Sequence, residues 1–348
     1  MTCSELQIHA LGSNSSFQLS TGDSLDSSKP RLVKFTCPLP SSRPKSISSG
    51  GNHTLLLLQD GSCFATGENS QGQCGIPRSR PVLPSFENTG GQKWEIIAAG
   101  WSFSIFINVN SHVFSCGKGN RGELGLGKHI NSTDLVQIQY FPPIGSRIVD
   151  VQIGVYHVVC ILDNGQVWGW GDARKGQLGP IDSPTKTLFT PIKLPGLSQK
   201  AVTAACGREF TIIGFEDQSI QVLGGTKWGV RYIPPDFGHR PWKCIAASWG
   251  TAHILFSDGK VYSWGRNDRS QHIHLSADIS LQNISAGSEH VVALDTKGNV
   301  YASGWNEHGN CGQQDLNDVC ELLPIDFPLK VDYIAAGCGT TFLVQCPI

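Results

Sequence analysis

The chain is short of methionine, of net charge and of long apolar runs: its 348 residues hold one methionine and balance 27 basic against 28 acidic side chains. A formal net charge of −1, with no extended basic run, leaves no electrostatic footprint for a phosphate backbone, so no direct nucleic-acid partner is expected. No apolar stretch approaches the length of a membrane span. The segment Met1 to His9 carries Glu5 and lacks a basic start followed by an apolar core, so it does not read as a signal peptide. These absences predict a soluble protein of the cytoplasm, with the nucleus also open to it. None of the 12 cysteines forms a Cys-x-x-Cys pair, which argues against a zinc ribbon or a redox motif. In a reducing compartment they should be thiols, and Cys63, Cys116, Cys160 and Cys206 sit inside apolar strand patterns as small hydrophobes. No phosphate-binding Gly-x-x-x-x-Gly-Lys-Ser/Thr loop, Gly-x-Ser-x-Gly elbow or His-Glu-x-x-His pair occurs. The expectation is a non-enzyme with no cofactor, no metal ligands and no catalytic residues.

What is abundant is punctuation. Forty glycines and 19 prolines disfavour long helices and suit short strands joined by tight turns. A glycine follows two small residues at Gly50, Gly100, Gly154, Gly207, Gly287 and Gly337, with Ser248 in the equivalent place. A second glycine ends the following strand pair at Gly67, Gly117, Gly171, Gly224, Gly265 and Gly304, and the offset is 17 residues in all six units. Unit starts lie 39 to 54 residues apart, so the variation is confined to the connecting loops. Such a ruler identifies a repeat array.

Within a unit, strand-forming runs such as Thr54–Leu58 with Ser62–Thr66, and Val158–Leu162 with Val167–Trp170, flank Asp-Gly or Asn-Gly hairpin turns. A fourth strand is predicted after each loop, over Pro30–Phe35, Leu135–Gln139, Thr190–Leu194 and Leu323–Phe327. Four antiparallel strands per unit make a propeller blade. The last start glycine is followed by only one strand pattern, Thr340–Gln345, whereas Leu6–Gly12 reads as the second half of a unit. The expected fold is therefore all-β: a seven-bladed β-propeller of four-stranded antiparallel blades over residues 1–348, closed by N- and C-terminal strands sharing one blade. It needs no interdomain linker.

Gly154, His157, Asn164-Gly165, Trp170-Gly171 and Gly176-Gln-Leu-Gly179 together resemble the regulator of chromosome condensation repeat, with near copies at Gly72–Gly75 and Gly122–Gly125. No unit ends in Trp-Asp, the mark of the rival seven-bladed class. The founding members of the family exchange guanine nucleotide on a small GTPase and bind chromatin through basic tails. This chain has no such tail, and its unit spacing leaves little room for an inserted wedge hairpin. Gly287-Ser-Glu-His290, Gly304-Trp-Asn-Glu-His-Gly-Asn-Cys-Gly312 and Gly337-Cys-Gly-Thr-Thr-Phe342 are similar to a fungal branch, the killer toxin insensitivity thirteen (alpha-tubulin suppressor) proteins. The degenerate fifth and sixth blades, marked by Ser248 and Ser270, share in that likeness. The resemblance implies a partner: a small four-cysteine zinc- or iron-binding protein that serves both diphthamide biosynthesis and Elongator-dependent tRNA wobble-uridine modification. A heterodimer is expected over a homo-oligomer. Trp305–Gly309 also resembles secretion-regulating exchange-factor-like proteins, which keeps exchange on a small GTPase as the alternative.

Two groups of residues are open to more than one reading. His53, His157 and His290 recur three residues after a start glycine and could line the channel as metal ligands. Other units place Phe103, Phe210, Thr251 and Thr340 there, so hydrogen-bonded ties between blades are the expectation. Trp101, Trp228, Trp242, Trp249 and Trp305 fall in turns or loops, beside Arg231 and Arg240, whereas Trp168, Trp170 and Trp264 read as blade core. Interfaces concentrate their energy in Trp, Tyr and Arg, so Trp101, Trp228, Arg231, Trp242, Trp249 and Trp305, with Glu307 and His308, are the candidate partner-binding residues. The competing reading is that the tryptophans fill gaps between irregular blades. The segment from Lys227 to Trp242, where the repeat loop is eroded, is the one expected to carry a specific adaptation.

Overall fold

Most units begin on a strand that ends in two small residues and a glycine (Ser248 in one unit), and the glycine lets a neighbouring backbone come close. Each unit returns on a second strand buried at every position, as in His53–Leu58 and His157–Leu162. Burial on both faces requires packing partners on both sides, and a ring of sheets supplies them. The computed structural model describes residues 6–38, 40–182, 184–234, 240–276 and 278–346. Among these, the strands form seven antiparallel sheets, five of four strands and two of three. The inner strands, among them Pro44–Ser49, Trp94–Ala99, Ile148–Ile153 and Leu281–Ala286, contact one another in a closed cycle around a central channel. The fold is a seven-bladed propeller.

Ring closure follows the sequence ruler across the termini. Gln7–Gly12 pairs with Thr340–Gln345 from Gln7↔Gln345 to Gly12↔Thr340, inside one sheet that also holds Ser27–Leu32 and Tyr333–Ala336. Gly12 therefore occupies the place of the second glycine in the other units. The register explains the constant offset. His53 faces Gly67, Phe103 faces Gly117 and His157 faces Gly171, so each second glycine lies opposite the residue three past the start glycine. Gly67 takes φ +103°, and a Cβ there would lie 2.4 Å from the Asn52 carbonyl oxygen, so only glycine closes the hairpin without strain.

The outer strands correct two expectations. They start earlier than hydrophobicity suggests, at Ser27, Ser132, Thr187 and Val319, because a register shift next to the second glycine lets the polar residues after the loop pair as well. In addition, the blades Ala201–Gly224 and Trp242–Gly265 have three strands among the described residues instead of the predicted four. In the first, the chain turns at once into a 3-10 turn over Lys227–Gly229, with Trp228 at φ +62°, and does not run antiparallel beside Ile220–Gly224. In the second, Ser270 stands at φ +59° in a place that most units give to glycine and the shared blade gives to Phe17 at φ +67°.

The repeated histidines tie neighbouring blades. His53 Nε2 lies 2.7 Å from Ser104 Oγ, His157 Nε2 2.9 Å from Thr211 Oγ1 and His290 Nε2 3.1 Å from Thr341 Oγ1. Each hydroxyl donates its one proton to a loop carbonyl, of Gln73, Gln177 and Asn310 respectively, and so accepts from Nε2–H. Burial keeps these imidazoles neutral, lowering their pKa values to about 3, about 4 and about 4. Each ring also lies against its start glycine: a Cβ on Gly50 would be 2.5 Å from the His53 ring and 2.1 Å from the Gly100 carbonyl oxygen of the next blade.

Two outcomes follow from this packing. Phe342 is fully buried in the shared blade, and Phe342→Ala should cost ~3–5 kcal/mol in urea unfolding; a loss below ~1 kcal/mol would mean that the terminal strands contribute little to closure. The three histidines have folded-state pKa values below the unfolded value, so their stabilisation is complete above about pH 6.5. It is lost as pH falls toward 4, at up to ~1.4 kcal/mol per pH unit for each histidine. His157→Phe, which copies Phe103 and Phe210, should flatten the fall in melting temperature between pH 6.5 and 4.5; an unchanged slope would assign the pH dependence to other groups.

Candidate partner-binding face

In each blade the inner and third strands run in one direction and the second strand runs back. The start glycines, the third-strand ends and the glycine-rich loops consequently share one face, and the Asp-Gly and Asn-Gly hairpins share the other. Seven equivalent residues follow the start positions on the glycine face: Trp101, Val155, Trp249, Ser288 and Cys338 line the channel mouth, and Gly51 and Arg208 bond to two of them. Backbone hydrogen bonds join several of them into a collar. Gly51 N donates to Trp101 O at 3.1 Å, Arg208 N to Trp249 O at 3.0 Å, and Trp249 N to Ser288 O at 2.8 Å. The channel behind it, about 380 Å³, is lined by small residues of the inner strands because seven strands converge there.

Trp101 and Trp249 come from blades three places apart in the ring, yet their side chains meet over the channel with ring centroids 5.7 Å apart. Trp101 is 44% exposed, and Trp249 is half-buried with the Arg208 guanidinium 5.6 Å from its ring. Beside this pair lies a second cavity of about 300 Å³, between the two three-stranded blades, whose lining includes Arg208, Lys227, Trp228, Trp249 and Arg266. Trp228, 48% exposed, has the Lys227 ammonium 5.1 Å and the Arg266 guanidinium 5.5 Å from its ring. Arg266 pairs with Asp268 and with Glu289. The Asp268 bond, first among several contacts, raises the guanidinium pKa, and burial raises that of the Glu289 carboxyl.

The structure brings together only part of the predicted set. Trp101, Trp228 and Trp249 share the glycine face. Arg231 follows the 3-10 turn, is exposed, and makes no hydrogen bond or ion pair among the described residues. Trp242 is a correction: it opens the strand Trp242–Ala247, is 9% exposed in a blade core, and its Nε1 donates to Gln218 O at 2.8 Å. The reason is positional, since Trp242 precedes Ser248 by the same interval that separates buried Trp94 from Gly100, at the hairpin end of the inner strand. Arg240 goes with it to the hairpin face, over the Phe256 ring and paired with Asp258. Part of the segment from Lys227 to Trp242, residues 235–239, lies outside the described residues.

The loop from Trp305 to Cys311 divides by depth. Asn306, Asn310 and Cys311 are fully buried, with the Asn306 side chain accepting from Cys311 N at 2.8 Å and Asn310 Nδ2 donating to Trp305 O at 2.6 Å. The same asparagine device shapes the loops at Asn69 and Asn14. Trp305, Glu307 and His308 project from this frame. His308 bonds Asp26 of one neighbouring blade at 2.6 Å and meets Trp305 edge to face, and Glu307 pairs with Arg269 of the other neighbour at 3.3 Å. The loop staples three blades at the rim, apart from the tryptophan pair at the mouth.

Sequence reasoning missed Arg208, Lys227 and Arg266. The position after each start glycine would have found Arg208, and adjacency to Trp228 would have found Lys227. Arg266 follows a second glycine, a place with no distinctive pattern. Burial holds the strand thiols protonated, with Cys116 and Cys206 pushed up to about 12. No cluster of three or more potential metal-ligating side chains occurs among the described residues, and no helix is long and apolar enough to cross a membrane.

Comparison with known proteins agrees with this architecture. An RCC1 repeat-containing protein of Schizosaccharomyces pombe is 35% identical, over 96% of this chain and 97% of its own. The secretion-regulating guanine nucleotide exchange factor of Bos taurus is 28% identical, over 95% of this chain and 81% of its own. Among solved structures, Prp20p of Saccharomyces cerevisiae superposes with a TM-score of 0.85 at 20% identity, covering 100% of this chain and 93% of that one, which is a likeness of fold. The sequence pattern of the RCC1-like domain matches residues 7–344, and the chain belongs to that family.

Proposed function

We propose that the protein is a non-enzymatic binding propeller whose glycine face receives a small four-cysteine zinc- or iron-binding protein. As a one-to-one heterodimer the pair would serve diphthamide biosynthesis and Elongator-dependent wobble-uridine modification of tRNA, in the cytoplasm and also the nucleus. The observation that carries the reading is the tryptophan pair at the channel mouth. Trp101 and Trp249 present aromatic surface on a collar of backbone hydrogen bonds, and a rigid aromatic anchor beside arginine is what protein interfaces use to concentrate affinity. Support for this partner class comes from the sequence likeness of the Trp305–Cys311 loop, whose outward residues Trp305, Glu307 and His308 are held at the rim of the same face.

Exchange on a small GTPase is the second reading. It is favoured by the bovine relative, which is named an exchange factor and matches 95% of this chain.

Two measurements separate the readings. Affinity capture with the full chain should recover a small four-cysteine metalloprotein at one-to-one stoichiometry. Trp101→Ala and Trp249→Ala should each weaken that complex by about 30-fold, the equivalent of ~2 kcal/mol for an interface hot spot. Recovery of no such protein would remove the partner assignment. Release of fluorescent GDP from a panel of small GTPases should be unchanged by the protein; acceleration of any one of them would replace the first reading with the second.

A further inference from the structure

The cavity beside the tryptophan pair is lined by two cations, Arg208 and Lys227, that make no ion pair among the described residues. Its two aromatic rings already carry cations from this chain: Lys227 and Arg266 lie over Trp228, and Arg208 lies over Trp249. A cationic ligand would have to displace them, so the rings do not form a cage for a partner's lysine or arginine. The three cations are not equivalent. Arg266 is neutralised twice, by Asp268 and Glu289, whereas Arg208 and Lys227 have no carboxylate within ion-pair distance among the described residues. Glu209 also lines the cavity but forms no ion pair there; the raised pKa of Arg174 on the adjoining blade comes first from its bond to Asp172, with Glu209 a lesser contributor. With Asp268 on Arg266, three basic and three acidic side chains balance around the cavity, and the cations left without an ion pair are Arg208 and Lys227.

The site is also held in shape at a cost. Trp228 takes φ +62°, a conformation bulky residues avoid, and it rests against Gly250, where an added Cβ would come within 3.6 Å of its Cδ1. Backbone strain of this kind persists where surrounding contacts impose it, and it concentrates at ligand clamps. The cavity opens beside the mouth, and Trp249 belongs to both.

We propose that this cavity is an acid-reading subsite: an Asp or Glu side chain from an acidic segment of the protein partner enters between Trp228 and Trp249 and pairs with Arg208 and Lys227. The inference rests on the reading that the glycine face binds a protein. Continuity with the tryptophan pair favours a peptide carboxylate over a free anion, because the shared Trp249 puts the cavity within side-chain reach of a backbone lying across the mouth. Arg208 supplies a planar fork for the carboxylate, and Lys227 a mobile point charge at the rim.

The test uses the full-length protein and an oligo-glutamate peptide, with its oligo-glutamine counterpart and inorganic phosphate as parallel arms, followed by intrinsic tryptophan fluorescence. Oligo-glutamate should bind and shift the emission, oligo-glutamine should not, and phosphate at the same concentration should fail to compete. Arg208→Gln and Lys227→Gln should each weaken oligo-glutamate binding ~10-fold, as expected for loss of a charge-assisted contact, while Arg240→Gln on the opposite face should leave it unchanged. Equal binding of oligo-glutamine, full competition by phosphate, or undiminished binding by both cavity variants would overturn the proposal. Partner capture distinguishes the two levels. If Trp101→Ala weakens capture and Arg208→Gln and Lys227→Gln do not, the face is right and the acid-reading subsite is wrong. If no partner is captured but oligo-glutamate binds as described, the subsite stands and the partner assignment falls.

Discussion

Everything in this ring depends on how closely the backbones of successive inner strands approach at the start glycines. A Cβ on Gly50, Gly154 or Gly287 would fall 2.1, 2.5 or 2.3 Å from the carbonyl oxygen of the next start glycine, so no other side chain fits there without opening the ring. The same approach lets a side chain three residues later reach the adjoining blade. Where that side chain is histidine, it lies against the glycine and donates to a hydroxyl across the junction. Where it is Phe103 or Phe210, the ring covers the glycine without a polar tie. One steric constraint accounts for the small-small-glycine signature, the recurring histidines and the narrow channel.

A scaffold fixed in this way leaves function to the positions it does not constrain. The residue after each start position varies among glycine, valine, serine, cysteine, arginine and tryptophan, and Trp101, Val155, Trp249, Ser288 and Cys338 line the channel. Two tryptophans, three blades apart, exploit that freedom to meet over the opening, which sequence separation alone would never suggest. The two blades with three strands among the described residues flank a cavity that the chain around Trp228 lines. Loss of regular structure and gain of a candidate site coincide at the same residues.

Legibility followed repetition. The offset of the two glycines, the hairpins and the closing pair of terminal strands could be read because each is set by local register, and six units repeat it. The outer strands were mislocated because their exposed halves carry no hydrophobic pattern, only pairing opposite a bulge. Trp242 was mistaken for a loop residue because its neighbours are polar and prolyl, although its distance from Ser248 already placed it with Trp94. Glu307 is exposed and His308 half-buried on their loop, and they are bound to Arg269 and Asp26 of the flanking blades, pairings no local rule contains.

Sequence alone therefore determined the blade, its repetition and the closure of the ring, since these follow from close approach, turn geometry and strand register within a few tens of residues. Only the tertiary structure decided which side chains share a face and which cations remain unpaired. Trp101 meets Trp249, and Arg208 and Lys227 face one cavity, because ring closure carries distant segments to a common mouth. Charge and aromatic contact there depend on that convergence in space, and residue order along the chain does not encode it.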